Sequence, residues 1–291
     1  MLRYWIRILH IPFLVSSVLT YILGHALVNY LGYALDGWTA GVGGLSILCL
    51  LSGCWILFEY SNRIHAGEAP FKLEAGEEKP SAQTLLIVFF VVLTLVVVFG
   101  FGLSRSSPDP GLTILLSIGL LLSAVLFIGQ PRLVYSGYGE LIQGVILCSL
   151  VPAFAFTLHS GEIPVLFLAV TFPLIFIFLA VNLAVELEAY AGDLKYERRP
   201  LLIRLTWQRG IGLHHICLLA GFTLLACAPL MGVAWRLVWP ALLALPVGML
   251  EIWLVNRIAL GLPPRWPLLR LVAWLAFILA VYLLAITFWM A

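Results

Sequence analysis

Val181–Gly210 reads VNLAVELEAYAGDLKYERRPLLIRLTWQRG. It begins inside an apolar run and leaves it as a polar segment. Acids come first (Glu186, Glu188, Asp193), and bases follow (Lys195, Arg198, Arg199, Arg204, Arg209). Ionisable groups at the end of a membrane helix cost little where they face water or a cavity, and they often mark function. The plainer reading of the bases is a cytoplasmic loop that obeys the charge-topology rule. That reading does not cover Glu186, which still lies within the apolar run.

The rest of the chain is of the same kind. Hydrophobic residues make up 63% of the 291 and charged residues 10%, with a mean hydropathy of +1.08. Soluble domains carry roughly 25% charge. A membrane crossing needs about 20 predominantly apolar residues, and nine such spans are expected, near 11–31, 40–62, 82–104, 111–129, 139–159, 163–187, 211–231, 233–256 and 267–290. The fold class is therefore an all-α polytopic membrane protein, read as one transmembrane domain over 1–291. The five cysteines lie inside apolar runs with no CxxC pair or Cys/His cluster, so neither a disulfide framework nor a zinc site is indicated. The N-terminal MLRYWIRILHIP lacks a signal-peptide cleavage pattern and reads as a short amphipathic lead-in. No nucleic-acid partner is expected.

Lys and Arg set the orientation. Of 16, only Arg105 and Arg236 fall outside the N-terminus, the loops after spans two, four, six and eight, and the span ends beside them. Cytoplasmic loops collect these residues. The N-terminus and the polar loops are thus expected on the cytoplasmic side, where one common site can form.

Three segments carry the candidate chemistry. In LSGCWILFEYSNRIHAGEAPF, Glu59 and Asn62 are three apart and share a helix face, with Glu68 following. Such oxygens suit a hard cation such as magnesium; equally, Glu59 can pair with Arg63 at i+4. Glu74, Glu77 and Glu78 beside Lys72 and Lys79 read as a solvated loop. In IGQPRLVYSGYGELIQG, Pro131 and three glycines indicate a defined turn. There Arg132 can meet an anion, Tyr135 and Tyr138 can orient an aromatic ring or a phosphate, and Glu140 complements the positive N-terminus of span five. In the opening stretch Glu186 and Asp193 offer further oxygens, while Lys195, Arg198 and Arg199 can neutralise phosphate. Glu251, deep in span eight, is a functional candidate as an intramembrane acid or an interhelical hydrogen-bonding group. The adjacent His214 and His215 point in different directions and do not form a metal site.

At these residues the chain resembles the UbiA-type intramembrane prenyltransferases, and most nearly the 1,4-dihydroxy-2-naphthoate polyprenyltransferases of menaquinone synthesis. GCWILFEYSNRIHAGE stands where that family has NDxxDxxxD, VYSGYGE is similar to the branch's Y-x-G-x-G-E, and VELEAYAGDLKYERRPLLIRL stands where the family has N-E-x-P-D-x-x-x-D and a basic segment. The motifs are depleted. Phe58 replaces Asn, Glu59 and Asn62 replace two Asp residues, and Ala66 falls where a third is expected. Val185 replaces Asn, Glu188 replaces Pro and Ala189 replaces an Asp, whereas Glu186 and Asp193 remain.

The resemblance implies nine helices around a lateral, lipid-accessible cavity. It implies a prenyltransferase that moves an isoprenoid chain from its diphosphate to an aromatic, quinone-precursor-like acceptor. Magnesium and catalysis would fall to Glu59, Asn62, Glu186 and Asp193, with Glu68 as a further metal ligand. Arg132, Tyr135, Lys195, Arg198 and Arg199 would bind substrate. The depletion supports a second expectation, a non-catalytic member of the fold that binds a quinone or pigment or serves as a subunit of a larger membrane complex. A transporter is a weaker third, since no inverted repeat supports it.

Overall fold

A computed structural model describes residues 4–5, 8–66, 80–196 and 198–291. Among the described residues all regular structure is helical, and nine helices are long and apolar enough to cross a membrane. They are α1 (Ile11–Tyr30), α2 (Gly37–Ala66), α3 (Ala82–Ser106), α4 (Pro110–Phe127), α5 (Gly139–Thr157), α6 (Val165–Lys195), α7 (Trp207–Cys227), α8 (Trp235–Ala259) and α9 (Trp266–Met290). The chain is an integral membrane protein. Two short helices, Pro131–Val134 and Leu201–Leu205, sit in the links before α5 and α7.

Local chemistry places the helix starts. The Ser81 hydroxyl accepts the Thr84 N–H over 3.0 Å, and the Asp109 carboxylate accepts that of Leu112 over 3.0 Å, each satisfying a donor the first helical turn leaves open. Pro110 stands at the first position of α4 and Pro12 in the first turn of α1, where a missing N–H costs nothing. α1 is entered through His10, whose φ of 43° is left-handed, a conformation uncommon outside glycine.

The sequence reads as a polar loop from 188 to 210, but α6 runs on to Lys195. The change from apolar to charged residues marks where the chain leaves the bilayer, not where the helix stops; EAYAGDLK is mostly built of good helix formers. The helix ends short of Pro200, because the residue before a proline is driven out of the α region.

α5 contains a π-helical turn, Ile146–Leu150, just before Pro152. Proline has no N–H for the helical ladder, and the widened turn absorbs the break. At this point α1 crosses closely: a Cβ on Gly24 would lie 2.5 Å from the Pro152 carbonyl oxygen and 2.7 Å from the Ala155 Cβ. Only a residue without a side chain lets the two backbones meet, the usual device for close helix packing in membranes.

α1, α5 and α6 are mostly buried, with α9 packed on both α1 and α6 and α7 along α6. α3 and α4 lie at the periphery, and α3 packs along α2. Their outward residues, among them Ile87, Phe90, Val98 and Leu122, are large and apolar, as a lipid-facing surface requires. A pocket of 220 Å³ opens sideways between α3 and α4, lined by apolar groups such as Val97, Phe101, Ile114 and Ile118.

The centre is crossed by a column of aromatic rings. Trp274 of α9 meets Phe178 of α6 at 6.1 Å between centroids, and Phe178 meets Phe13 of α1 at 6.0 Å. Phe13 meets Trp55 of α2 at 5.7 Å, Trp55 meets Phe58 at 5.5 Å, and Phe58 meets Tyr135 at 6.0 Å. Apart from the tilted Phe58–Tyr135 pair, these contacts are edge-to-face, the favoured geometry for aromatic quadrupoles. The column ends at the polar end of the bundle.

Candidate active site

Two polar clusters stand at that end. The first is built on the last turns of α2. Trp55, Glu59 and Asn62 follow one another at i, i+4 and i+7, so they share one helix face. Glu59 is only 2% exposed. Its Oε1 accepts from the Tyr4 hydroxyl over 2.8 Å and from Arg63 Nε over 3.0 Å. Arg63 also donates to the Tyr4 hydroxyl and, over 2.7 Å, to the Pro80 carbonyl. Burial, and then the hydrogen bond to Glu59, push the Tyr4 phenol well above its usual range. The Glu59 Oε2, the Asn62 amide nitrogen and the Trp55 indole nitrogen are buried with no hydrogen-bond partner.

The second cluster joins α5, α6 and the two short links. Glu186 and Asp193 lie seven apart on α6 and share a face. Glu140, from the first turn of α5, comes within hydrogen-bonding reach of the Glu186 carboxyl. Leu201 N–H donates to Glu140 Oε1 over 3.2 Å, and the next backbone N–H, that of Leu202, faces the Glu186 carboxyl. Asp193 instead pairs with Arg198, 3.6 Å from Nη1 to Oδ1. The Arg198 guanidinium lies 4.9 Å from the Tyr135 ring centroid and 5.6 Å from that of Tyr196. Burial pushes the Tyr135 phenol up to about 12 against the opposing pull of Arg198, so it stays protonated at neutral pH. The Phe58–Tyr135 contact joins the two clusters.

The other residues expected at the site are more scattered. Arg132 and Arg199 on the polar links and Lys195 at the end of α6 are exposed. Lys195 sits 5.3 Å from the Tyr196 ring centroid, and the Arg199 carbonyl accepts from Arg204 Nε over 3.3 Å. Gly137 makes the turn into α5 with φ 80°, and a Cβ there would strike Arg204 Cδ at 2.4 Å. Glu68 lies outside the described residues. Glu188 points away from the site to Arg270, 3.1 Å distant. Glu251 pairs with His214 of α7 at 2.9 Å, and both are fully buried.

Sequence reasoning left Asn182 and Tyr4 unnamed and gave Glu140 only a helix-end role. Glu140 looks like an ordinary helix-opening acid. Asn182, whose amide nitrogen is buried without a partner, stands at i−4 from Glu186 inside an apolar run, a spacing that was legible. Tyr4 offers no signal within its lead-in segment.

The nine membrane helices of the described residues form an all-α bundle, and solved structures share that fold. A UbiA homologue from Archaeoglobus fulgidus bound to GPP and Mg²⁺ superposes with a TM-score of 0.68 at 14% identity, over 99% of each chain. The apo structure of a UbiA homologue from Aeropyrum pernix K1 gives 0.67 at 15% identity, over 93% of this chain and 94% of that one. A digeranylgeranylglyceryl phosphate synthase gives 0.63 at 14%, over 98% and 97%. The chain has the UbiA fold. No protein-family model and no curated protein sequence matches it.

Whether these residues fit magnesium depends on what already holds their oxygens. Among the described residues no three Asp, Glu, His or Cys side chains come together around one point. Glu59 already serves Tyr4 and Arg63, and Asp193 serves Arg198. Glu186 differs: its Oε2 is buried and has no donor. A carboxylate oxygen left bare in a dry site calls for a proton or a cation. Glu186 is thus a carboxylate of the two clusters left open to a proton or a divalent ion.

Proposed function

We propose that this protein transfers an isoprenoid chain from its diphosphate to an aromatic, quinone-precursor-like acceptor at the polar end of the bundle. One observation carries the reading. Two acid-and-base clusters, drawn from α2 and from α5–α6, meet through Phe58 and Tyr135 at the mouth of an aromatic column that runs back into the membrane core. The N-terminus and both polar links then lie on the cytoplasmic side.

In this reaction the carbon–oxygen bond of the allylic diphosphate breaks, a carbon–carbon bond to the acceptor ring forms, and the ring carbon releases its proton to water or to the departing diphosphate. Arg198, with Arg132, Lys195 and Arg199 around it, neutralises the phosphate oxygens through charge-assisted hydrogen bonds. The Tyr135 phenol, still protonated, serves as a hydrogen-bond donor in the site. The faces of Phe58 and Tyr135 stabilise positive charge on the allylic carbon and hold water away from it. Magnesium bound at Glu186 would neutralise charge building on the leaving diphosphate. The resemblance to the naphthoate branch makes 1,4-dihydroxy-2-naphthoate the first acceptor to try.

The test is prenylation of that acceptor from geranyl diphosphate by the purified protein. A prenylated product that disappears in Arg198→Ala supports the reading. Absence of product with a panel of phenolic acceptors, together with no binding of geranyl diphosphate, refutes it. A second reading, a non-catalytic binder of a quinone or pigment within a larger complex, is favoured by one observation: Glu59 and Asp193 are already neutralised by arginines of the same chain. Stoichiometric partner subunits or a co-purifying chromophore would favour it.

A further inference from the structure

We infer that Glu140 and Glu186 act as one cation-holding pair, in which Glu140 of α5 supplies the carboxylate that α6 lacks at Ala189; this rests on the transfer reading above. Glu140 is 4% exposed, far more buried than an acid placed only to suit a helix N-terminus. Its carboxyl meets that of Glu186, yet the Oε2 atoms of both are buried and have no donor. Two buried carboxyls in contact cannot both stay ionised on their own: they share a proton or hold a cation between them. Arg198 is not that cation, since it is turned to Asp193 and Tyr135.

The pair is also built for a metal ion. The Leu201 N–H fixes one oxygen of the Glu140 carboxyl, and outer-shell hydrogen bonds of this kind set ligand orientation in metal sites. Magnesium is commonly held by one or two carboxylates, with water and phosphate oxygens completing the shell. Two protein ligands therefore suffice. Ala189, by contrast, is exposed on α6. The remaining acids act through arginines instead. Glu59 orients Arg63, and Asp193 orients Arg198.

Mn²⁺ is the probe, added to the purified protein in detergent and followed by electron paramagnetic resonance, with and without inorganic diphosphate. Glu140→Gln and Glu186→Gln keep size and hydrogen-bonding oxygen but remove charge. Each is expected to weaken Mn²⁺ binding at least about tenfold, while Glu59→Gln and Asp193→Asn leave it within about threefold. Unchanged affinity in Glu140→Gln overturns the inference, as does a wild-type protein that binds no Mn²⁺ under either condition. If Glu140→Gln fails to fold, Glu140→Asp replaces it: a changed Mn²⁺ spectrum supports the pair, and an unchanged one overturns it. The transfer reading fails separately. A protein that holds Mn²⁺ through Glu140 but never binds geranyl diphosphate keeps the pair and loses the reaction; one that binds geranyl diphosphate but never Mn²⁺ does the reverse.

Discussion

Arg63 donates to Glu59 across one turn of α2 over 3.0 Å, and the carboxylate it reaches is almost sealed from solvent. The arginine also ties down Tyr4 and the Pro80 carbonyl, so one side chain binds three separated parts of the chain. Arg63→Ala leaves a buried charge without its partner, a loss of about 3 kcal/mol or more. A clear fall in the thermal melting temperature is expected. Glu59→Gln, which removes the charge but keeps an acceptor for Tyr4, is expected to be milder. Equal losses in the two variants would refute this account.

Arg198 and Asp193 give a prediction of opposite signs. Arg198→Ala is expected to weaken binding of a non-hydrolysable geranyl diphosphate analogue roughly 10- to 100-fold, the worth of charged hydrogen bonds to phosphate. Asp193→Asn releases the arginine from its partner, so analogue binding should stay level or tighten. Calorimetric titration of both variants decides it: weaker binding in Asp193→Asn makes Asp193 a ligand and not a holder of Arg198.

Gly24 sits where α1 and α5 touch. Gly24→Ala places a methyl 2.5 Å from a backbone oxygen that cannot turn aside, and overpacking of this kind costs about 1–3 kcal/mol. Because Phe13 of the aromatic column rides on α1, ligand affinity should fall along with melting temperature. A variant as stable as the parent would show that the crossing is looser than described.

His10 gives a pH dependence. It is stacked on Trp55 at 3.8 Å between centroids, and burial lowers its pKa to about 4 from 6.5. Between those values the unfolded chain binds the proton and the folded chain does not, so stability is full above about pH 6.5 and is lost as pH falls towards 4. His10→Phe keeps an aromatic ring on Trp55 and removes the titration. Melting curves of the two proteins from pH 7.5 to 4.5 should diverge as the pH drops; parallel curves would remove His10 as the source.

Much of this was legible in the residues, for identifiable reasons. Long apolar runs punctuated by charge place nine spans because the bilayer sets one length scale. The i, i+4 spacing placed Arg63 beside Glu59, and of the two readings open for the intramembrane Glu251 the structure shows the interhelical bond, to His214. What was not legible required knowing how helices face each other. Glu140 and Glu186 are distant in sequence and meet only because α5 packs along α6. The helical character of 188–195 was hidden by polarity, which reports solvent and not backbone. Tyr4 reaches Glu59 by tertiary contact alone.

The His214–Glu251 pair bears on how the protein is made. A carboxylate at the middle of a membrane helix costs about 3 kcal/mol to insert alone, and α8 carries one at Glu251. Its partner lies on the helix synthesised just before it. α7 and α8 therefore enter the bilayer most cheaply as a preformed hairpin, with the imidazole already in place. His214→Leu should leave α8 partly uninserted in a glycosylation-mapping assay, even though the completed bundle would bury either residue.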